Sequence, residues 1–156
     1  MLRITKILAP TDCSELSVLG LRRALEIARD ACAEIIVYRA VDVGADWHHS
    51  RLDCGSSRDL LEESRRILEK FLAENCADCI DLVEMRQMVE FGAPYKNIVE
   101  LAASEGVDMI VMSTHGRTGL DHFILGSVAE KVVARAPCPV LIVPRGGPRT
   151  TTAKAA

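Results

Sequence analysis

The feature that most limits the fold is an alternation. Short apolar runs, each about the length of a strand, are separated by stretches long enough for a helix and patterned like one. "ITKILAP" ends on Pro10, "EIIVYRAVDV" and "DLVEMRQMVEFG" follow, and "VDMIVMS" and "VLIVP" close the series. In "VDMIVMS" the apolar residues are consecutive, the mark of a strand buried on both faces. Between the runs, Val18, Leu21, Ala24, Leu25 and Ala28 recur at helical intervals, as do Leu60, Leu61, Ser64, Leu68, Phe71 and Leu72. Ile98, Leu101 and Ala102 share the face of a third helix that carries Pro94 in its first turn and stops near Gly106, and a last helix spans 127–136. Parallel strands need crossover connections, so five strands and four helices predict a single-domain α/β fold, an open parallel sheet with helices on both faces.

Composition agrees with that reading and narrows the partners. About half the residues are hydrophobic and only 4% aromatic, so the core is aliphatic. A net charge of −3 from 19 basic and 22 acidic residues provides no broad field for nucleic acid or an anionic membrane. No apolar run approaches the roughly 20 residues that span a bilayer, and the start turns polar too soon for a signal peptide, which predicts a cytoplasmic protein. The six cysteines, Cys13, Cys32, Cys54, Cys76, Cys79 and Cys138, are not spaced as a disulfide framework and are expected as thiols. The polar tail 145–156 is expected to be disordered, leaving 1–144 as the domain.

In open parallel sheets, ligands sit beyond the carboxyl ends of the strands, where strand order reverses. That rule directs attention to "PTD", "AVD", "EFGAP" and "STHGRTG". The last opens the stretch "STHGRTGLDHFILGS", residues 113–127, in which Gly116 and Gly119 follow a strand and Gly126 and Ser127 begin a helix. Glycines allow close approach, free amides collect at a helix start, and Arg117 can add a charged fork, the ingredients of a phosphate site. From spacing alone the stretch is equally a long turn, with Ser127 capping the helix. There is no GxxxxGK[ST] run and no GxGxxG, which argues against a P-loop nucleotidase and a dinucleotide dehydrogenase.

At this point the residues resemble a family. "ILAPTDCSE" and "FGAPYKNIVELAASEGVDMIVMSTHGRTGLDHFILGSVAEKVVARAPCPVLIVP", with the element order between them, are similar to a universal stress protein of the UspA type. The resemblance implies a Rossmann-type sheet of order 3-2-1-4-5, of the adenine nucleotide alpha hydrolase-like kind. It also implies an adenosine triphosphate site with the signature G-x2-G-x9-G-[ST]. Gly116 matches the second signature glycine, Gly126 the third and Ser127 the [ST] place, with Val128 completing the segment; Ser113 replaces the first glycine. Pro10, Thr11 and Asp12 match the adenosine-contacting segment, and Ala40 falls where a valine often meets the adenine. The expected ligand is therefore ATP, with Mg2+ as its companion ion. Ser113 is small, and its hydroxyl is expected to remain available to a ribose or phosphate.

Several other features have a bland and a sharp reading. Asp12 lies three residues before Glu15, the spacing of a capping box, so it caps a helix, contacts a ligand, or both. His115, Asp121 and His122 read as loop residues rather than a base or metal ligands, and so do His48 and His49 beside Trp47. "CADC", Cys76 to Cys79, has redox spacing but follows a helix instead of opening one. Met85, Met88, Met109 and Met112 read as strand packing. Pro139 opens the last strand, which suits a sheet edge, and the resemblance implies a homodimer through Val140–Val143. With no phosphate-loop lysine, paired acidic metal ligands or evident base, the expected activity is ATP binding as a stress-response switch, with slow hydrolysis at most. The alternative is a universal stress protein that binds no nucleotide and acts as a dimeric interaction module.

Overall fold

The computed structural model describes residues 3–42, 57–114 and 125–144. The five strands are β1 (Lys6–Pro10), β2 (Glu34–Val41), β3 (Met85–Phe91), β4 (Met109–Ser113) and β5 (Val140–Val143). The helices are α1 (Ser17–Ala31), α2 (Ser57–Cys76), α3 (Pro94–Glu105) and α4 (Ser127–Arg135). All strand pairs are parallel, in the order β3-β2-β1-β4-β5. The 3-2-1-4-5 expectation therefore holds.

Alternation along each strand sorts the core into two layers. On one face Ile7, Ala9, Ile35, Val37 and Val111 pack against Leu21, Ala24, Leu25 and Ala28 of α1 and Leu68, Phe71 and Leu72 of α2. On the other, Leu8, Ile36, Tyr38, Ile110 and Met112 meet Ile98, Leu101 and Ala102 of α3 and Ala129 and Val132 of α4. The methionines divide the same way, Met85 and Met109 against the first layer, Met88 and Met112 in the second, as strand packing requires.

Helix ends follow local chemistry. Pro94 stands in the first turn of α3, where its missing N–H is no loss, and Gly106 ends that helix at φ 63°. The third strand is shorter than its apolar run predicts, because Ile80–Leu82 form a 3-10 turn before Met85. Glu62 pairs with Arg66 at 3.8 Å on the solvated side of α2, as their spacing predicts. Among the described residues no helix is long and apolar enough to cross a membrane.

The amino end of the sheet is closed by charge. Lys6 lies 3.6 Å from Glu34 and 3.5 Å from Glu105, while Arg86 reaches the same two carboxylates at 3.1 Å and 2.5 Å. Asp108 accepts from the Thr5 N–H at 2.7 Å, the Thr5 hydroxyl at 2.8 Å and the Lys6 N–H at 3.0 Å. Hydrogen bonding from Arg86 holds the Glu105 carboxyl below its usual range, and the Thr5 amide does the same for Asp108.

Candidate functional site

The order reversal falls between β1 and β4, and there the two strands stop pairing early. Their described pairs are Ile7–Met109 and Leu8–Ile110. By contrast, β1 pairs with β2 as far as Pro10–Tyr38, and β4 with β5 as far as Ser113–Val143. Residue chemistry accounts for the difference. The Thr11 N–H donates to the Tyr38 carbonyl at 2.8 Å, so Thr11 faces β2 and Pro10, by alternation, faces β4. Proline has no N–H, so the ladder to β4 has no donor at that point.

Beyond Pro10 the chain forms a tight, self-bonded turn. The Thr11 hydroxyl accepts from the Cys13 N–H at 3.0 Å and lies 2.8 Å from the Ser17 hydroxyl. Asp12 Oδ1 accepts from the Ser14 N–H at 3.0 Å and the Ser14 hydroxyl at 2.6 Å. Cys13 takes the left-handed conformation at φ 59°, which costs a non-glycine residue about 1 kcal/mol. The capping-box expectation for Asp12 and Glu15 is thus corrected. Helix α1 begins at Ser17 with Leu16 at its N-cap and no side-chain cap, because the Asp12 carboxylate is taken by Ser14. Ser14 supplies the helix start instead, accepting from the Ser17 N–H on its carbonyl at 3.0 Å.

On the other side, Gly126 returns the chain to the end of β4 by donating its N–H to the Thr114 carbonyl at 2.8 Å. This places the start of α4, at Gly126, beside Thr114 just past the end of β4. Gly126 is the N-cap of α4, so Ser127 does not act as the cap, and among the described residues no side chain caps it. Val128 packs against the second core layer, as does Ala40. Pro10, Thr11, Asp12, Ala40, Ser113, Gly126, Ser127 and Val128 therefore gather at one edge of the sheet. Gly116 and Arg117 lie outside the described residues, with Gly119, His115, Asp121, His122, Trp47, His48, His49, Cys54 and the tail 145–156.

Ser113 occupies a different place from the expected one. It shares the face of Val111, toward α1, and its hydroxyl accepts from the Gly20 N–H at 3.0 Å. A side chain on Gly20 would meet the Ser113 nitrogen at 2.6 Å and the Met112 carbonyl carbon at 2.8 Å. The helix and the strand end are in direct backbone contact, with the Ser113 hydroxyl fitted between them.

Sequence reasoning missed two residues that shape this edge. Arg39 is only 4% exposed within an apolar strand. Its Nε donates to the Ser64 hydroxyl of α2 at 2.7 Å and its Nη1 to the Asp12 carbonyl at 2.8 Å. The visible signal was a cation in "EIIVYRAVDV" at a position that alternation assigns to the α1 and α2 face. Asn97 was the other. Its amide donates to the Tyr38 hydroxyl and the Phe91 carbonyl, each at 2.9 Å, tying β2 to the "EFGAP" loop. Gly92 there sits at φ 139°, and a Cβ would come within 2.5 Å of Asn97 Oδ1. Burial pushes the Tyr38 phenol up to about 12, so it stays protonated.

The redox candidate fares poorly. Burial raises the Cys76 thiol to about 11 and raises Cys79 as well, whereas a reactive thiol needs the opposite shift. Cys32, Cys76, Cys79 and Cys138 form no disulfide among the described residues. Among the described residues no group of three or more histidine, cysteine or acidic side chains is placed to hold a metal ion.

The sequence is 37% identical over 143 residues to universal stress protein MJ0531 of Methanocaldococcus jannaschii, covering 88% of this chain and 81% of that one. It is 29% identical to universal stress protein MJ0577 of the same organism over 153 residues, covering 90% and 94%. The solved structure of MJ0577 superposes with a TM-score of 0.68 at 31% identity, covering 92% of this chain and 97% of that one. A universal stress protein solved in complex with cAMP superposes at 0.61, with 25% identity and 90% and 97% coverage. The profile of the universal stress protein family matches residues 3–144, and the chain belongs to that family.

Proposed function

We propose that this universal stress protein binds ATP at the carboxyl edge between β1 and β4 and works as a nucleotide-dependent switch in the cytoplasm, not as an efficient enzyme. The observation that carries the reading is the early end of the β1–β4 ladder, flanked by a helix start without a side-chain cap. Pro10, Thr11, Asp12 and Ala40 take the adenosine, while Gly116, Arg117, Gly126, Ser127 and Val128 surround the phosphates. First-turn amides of α4 supply donors and positive potential to an anion, and an Mg2+ ion carried in with the nucleotide would share the phosphate charge. The cAMP complex of a structural relative supports adenine as the base.

The position of Ser113 strengthens this reading against a nucleotide-free module. Its hydroxyl is bonded toward α1, so replacing the first signature glycine changes helix packing and leaves the phosphate side to Gly116, Gly126 and Ser127. The apolar edge of β5, with Leu141 36% exposed, fits the proposed homodimer through Val140–Val143.

Calorimetry together with native mass spectrometry tests both parts. ATP binding and a dimer mass are expected, with Gly116→Val and Arg117→Ala weakening the nucleotide. At about 100 times its Kd, ATP should add about 2.7 kcal/mol to unfolding stability. Absence of binding heat and of any retained nucleotide would sink the ATP reading.

A further inference from the structure

We infer that Arg39 is a positioning residue for the nucleoside half of the site, holding the Asp12 carbonyl and with it the turn from Thr11 to Ser14. This inference rests on the ATP reading above and assigns a residue that does not itself touch the ligand.

The starting point is a charge in a costly place. Arg39 is 4% exposed, and its neighbours on the same face of β2, Val37 and Val41, are 0% and 5% exposed. A guanidinium loses its hydration there, while a leucine or methionine would fill the space without that penalty. Its described partners are a hydroxyl and a backbone carbonyl, not a carboxylate. Hydrogen bonds from a charged donor to such neutral acceptors are of the strong kind.

The choice of acceptor gives the arginine its effect. A carbonyl and the N–H of the next residue share one rigid plane and point in opposite directions. Drawing the Asp12 carbonyl toward Arg39 turns the Cys13 N–H the other way, onto the Thr11 hydroxyl at 3.0 Å. The peptide between residues 12 and 13 is thus gripped at both ends. Cys13 at φ 59° needs that grip, since without it a non-glycine residue relaxes toward negative φ. Release would swing the segment assigned to the adenosine while leaving Gly126 and Ser127 where they are.

Arg39 has a second bond, to Ser64, and a purely structural arginine would act through it by fastening α2. The two roles separate by mutation in the full-length protein. Arg39→Met is expected to weaken ATP about tenfold and to speed amide hydrogen exchange at Cys13 and Ser14 without speeding it at Leu25 in α1. Arg39→Lys, which retains a cation but has one compact head in place of a fork, is expected to lie between Arg39→Met and wild type. Ser64→Ala is expected to lower the melting temperature and leave ATP affinity within about twofold, because the Asp12 bond remains. Should Arg39→Met fail to fold, Arg39→Lys and Ser64→Ala carry the comparison. The inference is overturned by unchanged exchange at Cys13 and Ser14 in the arginine variants, by unchanged ATP affinity there, or by an equal affinity loss in Ser64→Ala. If the wild-type protein binds no ATP, the nucleotide reading falls on its own, and the exchange measurement alone decides whether Arg39 positions the turn.

Discussion

The two ends of this sheet are built in opposite ways. At the amino end, Lys6 and Arg86 share Glu34 and Glu105, and Asp108 fastens Thr5 and Lys6. At the carboxyl end, β1 parts from β4 at a residue without an N–H, Cys13 sits in a left-handed conformation, and α4 starts without a side-chain cap. One end is fastened by a network of ion pairs; the other has a self-bonded turn and isolated hydrogen bonds, from Gly20 to Ser113 and from Arg39 to Ser64 and the Asp12 carbonyl. The difference teaches that the same strands can be aligned at one end and left open at the other, provided that each end has its own means of satisfying polar groups.

Mutation can break this contrast in steps. The largest effect is expected where α1 and the end of β4 are in direct backbone contact. Gly20→Val would drive a side chain into the backbone of Met112 and Ser113, at a cost of about 3 kcal/mol, read from the urea midpoint. Ser113→Gly removes a hydrogen bond from that same contact and should cost about 1 kcal/mol, while ATP affinity measured by calorimetry stays unchanged. If Ser113→Gly instead alters nucleotide affinity strongly, the serine does act at the ligand and the assignment of its face to packing fails.

The smallest effect concerns the amino end and depends on pH. Glu105 and Asp108 have folded-state pKa values below their ordinary ones, so the stability they add is present above about pH 4, their unfolded range, and is lost as pH falls through the depressed values. Melting temperature is expected to drop on acidification below about pH 4, and less steeply in a Glu105→Gln, Asp108→Asn variant. Equal slopes in the two proteins would show that the acid response arises elsewhere.

Much of this organisation was legible in the residues because burial imposes a period. Ile98, Leu101 and Ala102 announced their helix face, and the unbroken "VDMIVMS" announced a strand covered on both sides. The carboxyl edge was harder for a physical reason. Asp12 and Glu15 have capping-box spacing, yet Ser14 competes for the same carboxylate over a shorter path. Which donor wins depends on the direction in which the chain leaves β1. Ser113 was read through its place in a binding signature, whereas its hydroxyl is directed by Gly20, a residue 93 positions away in sequence. Arg39 was visible as an oddity in an apolar run, but its acceptors belong to a turn and a helix that only the folded chain brings near.

Pro10 has a consequence for how a ligand would arrive. Since the missing donor is part of the covalent structure, the separation of β1 from β4 exists before anything binds and cannot be zipped shut by a further ladder bond at that nitrogen. A nucleotide entering there would have no strand pair to pull apart. Its encounter would be set by diffusion and by the local charge around the α4 amides, with no opening of the sheet required.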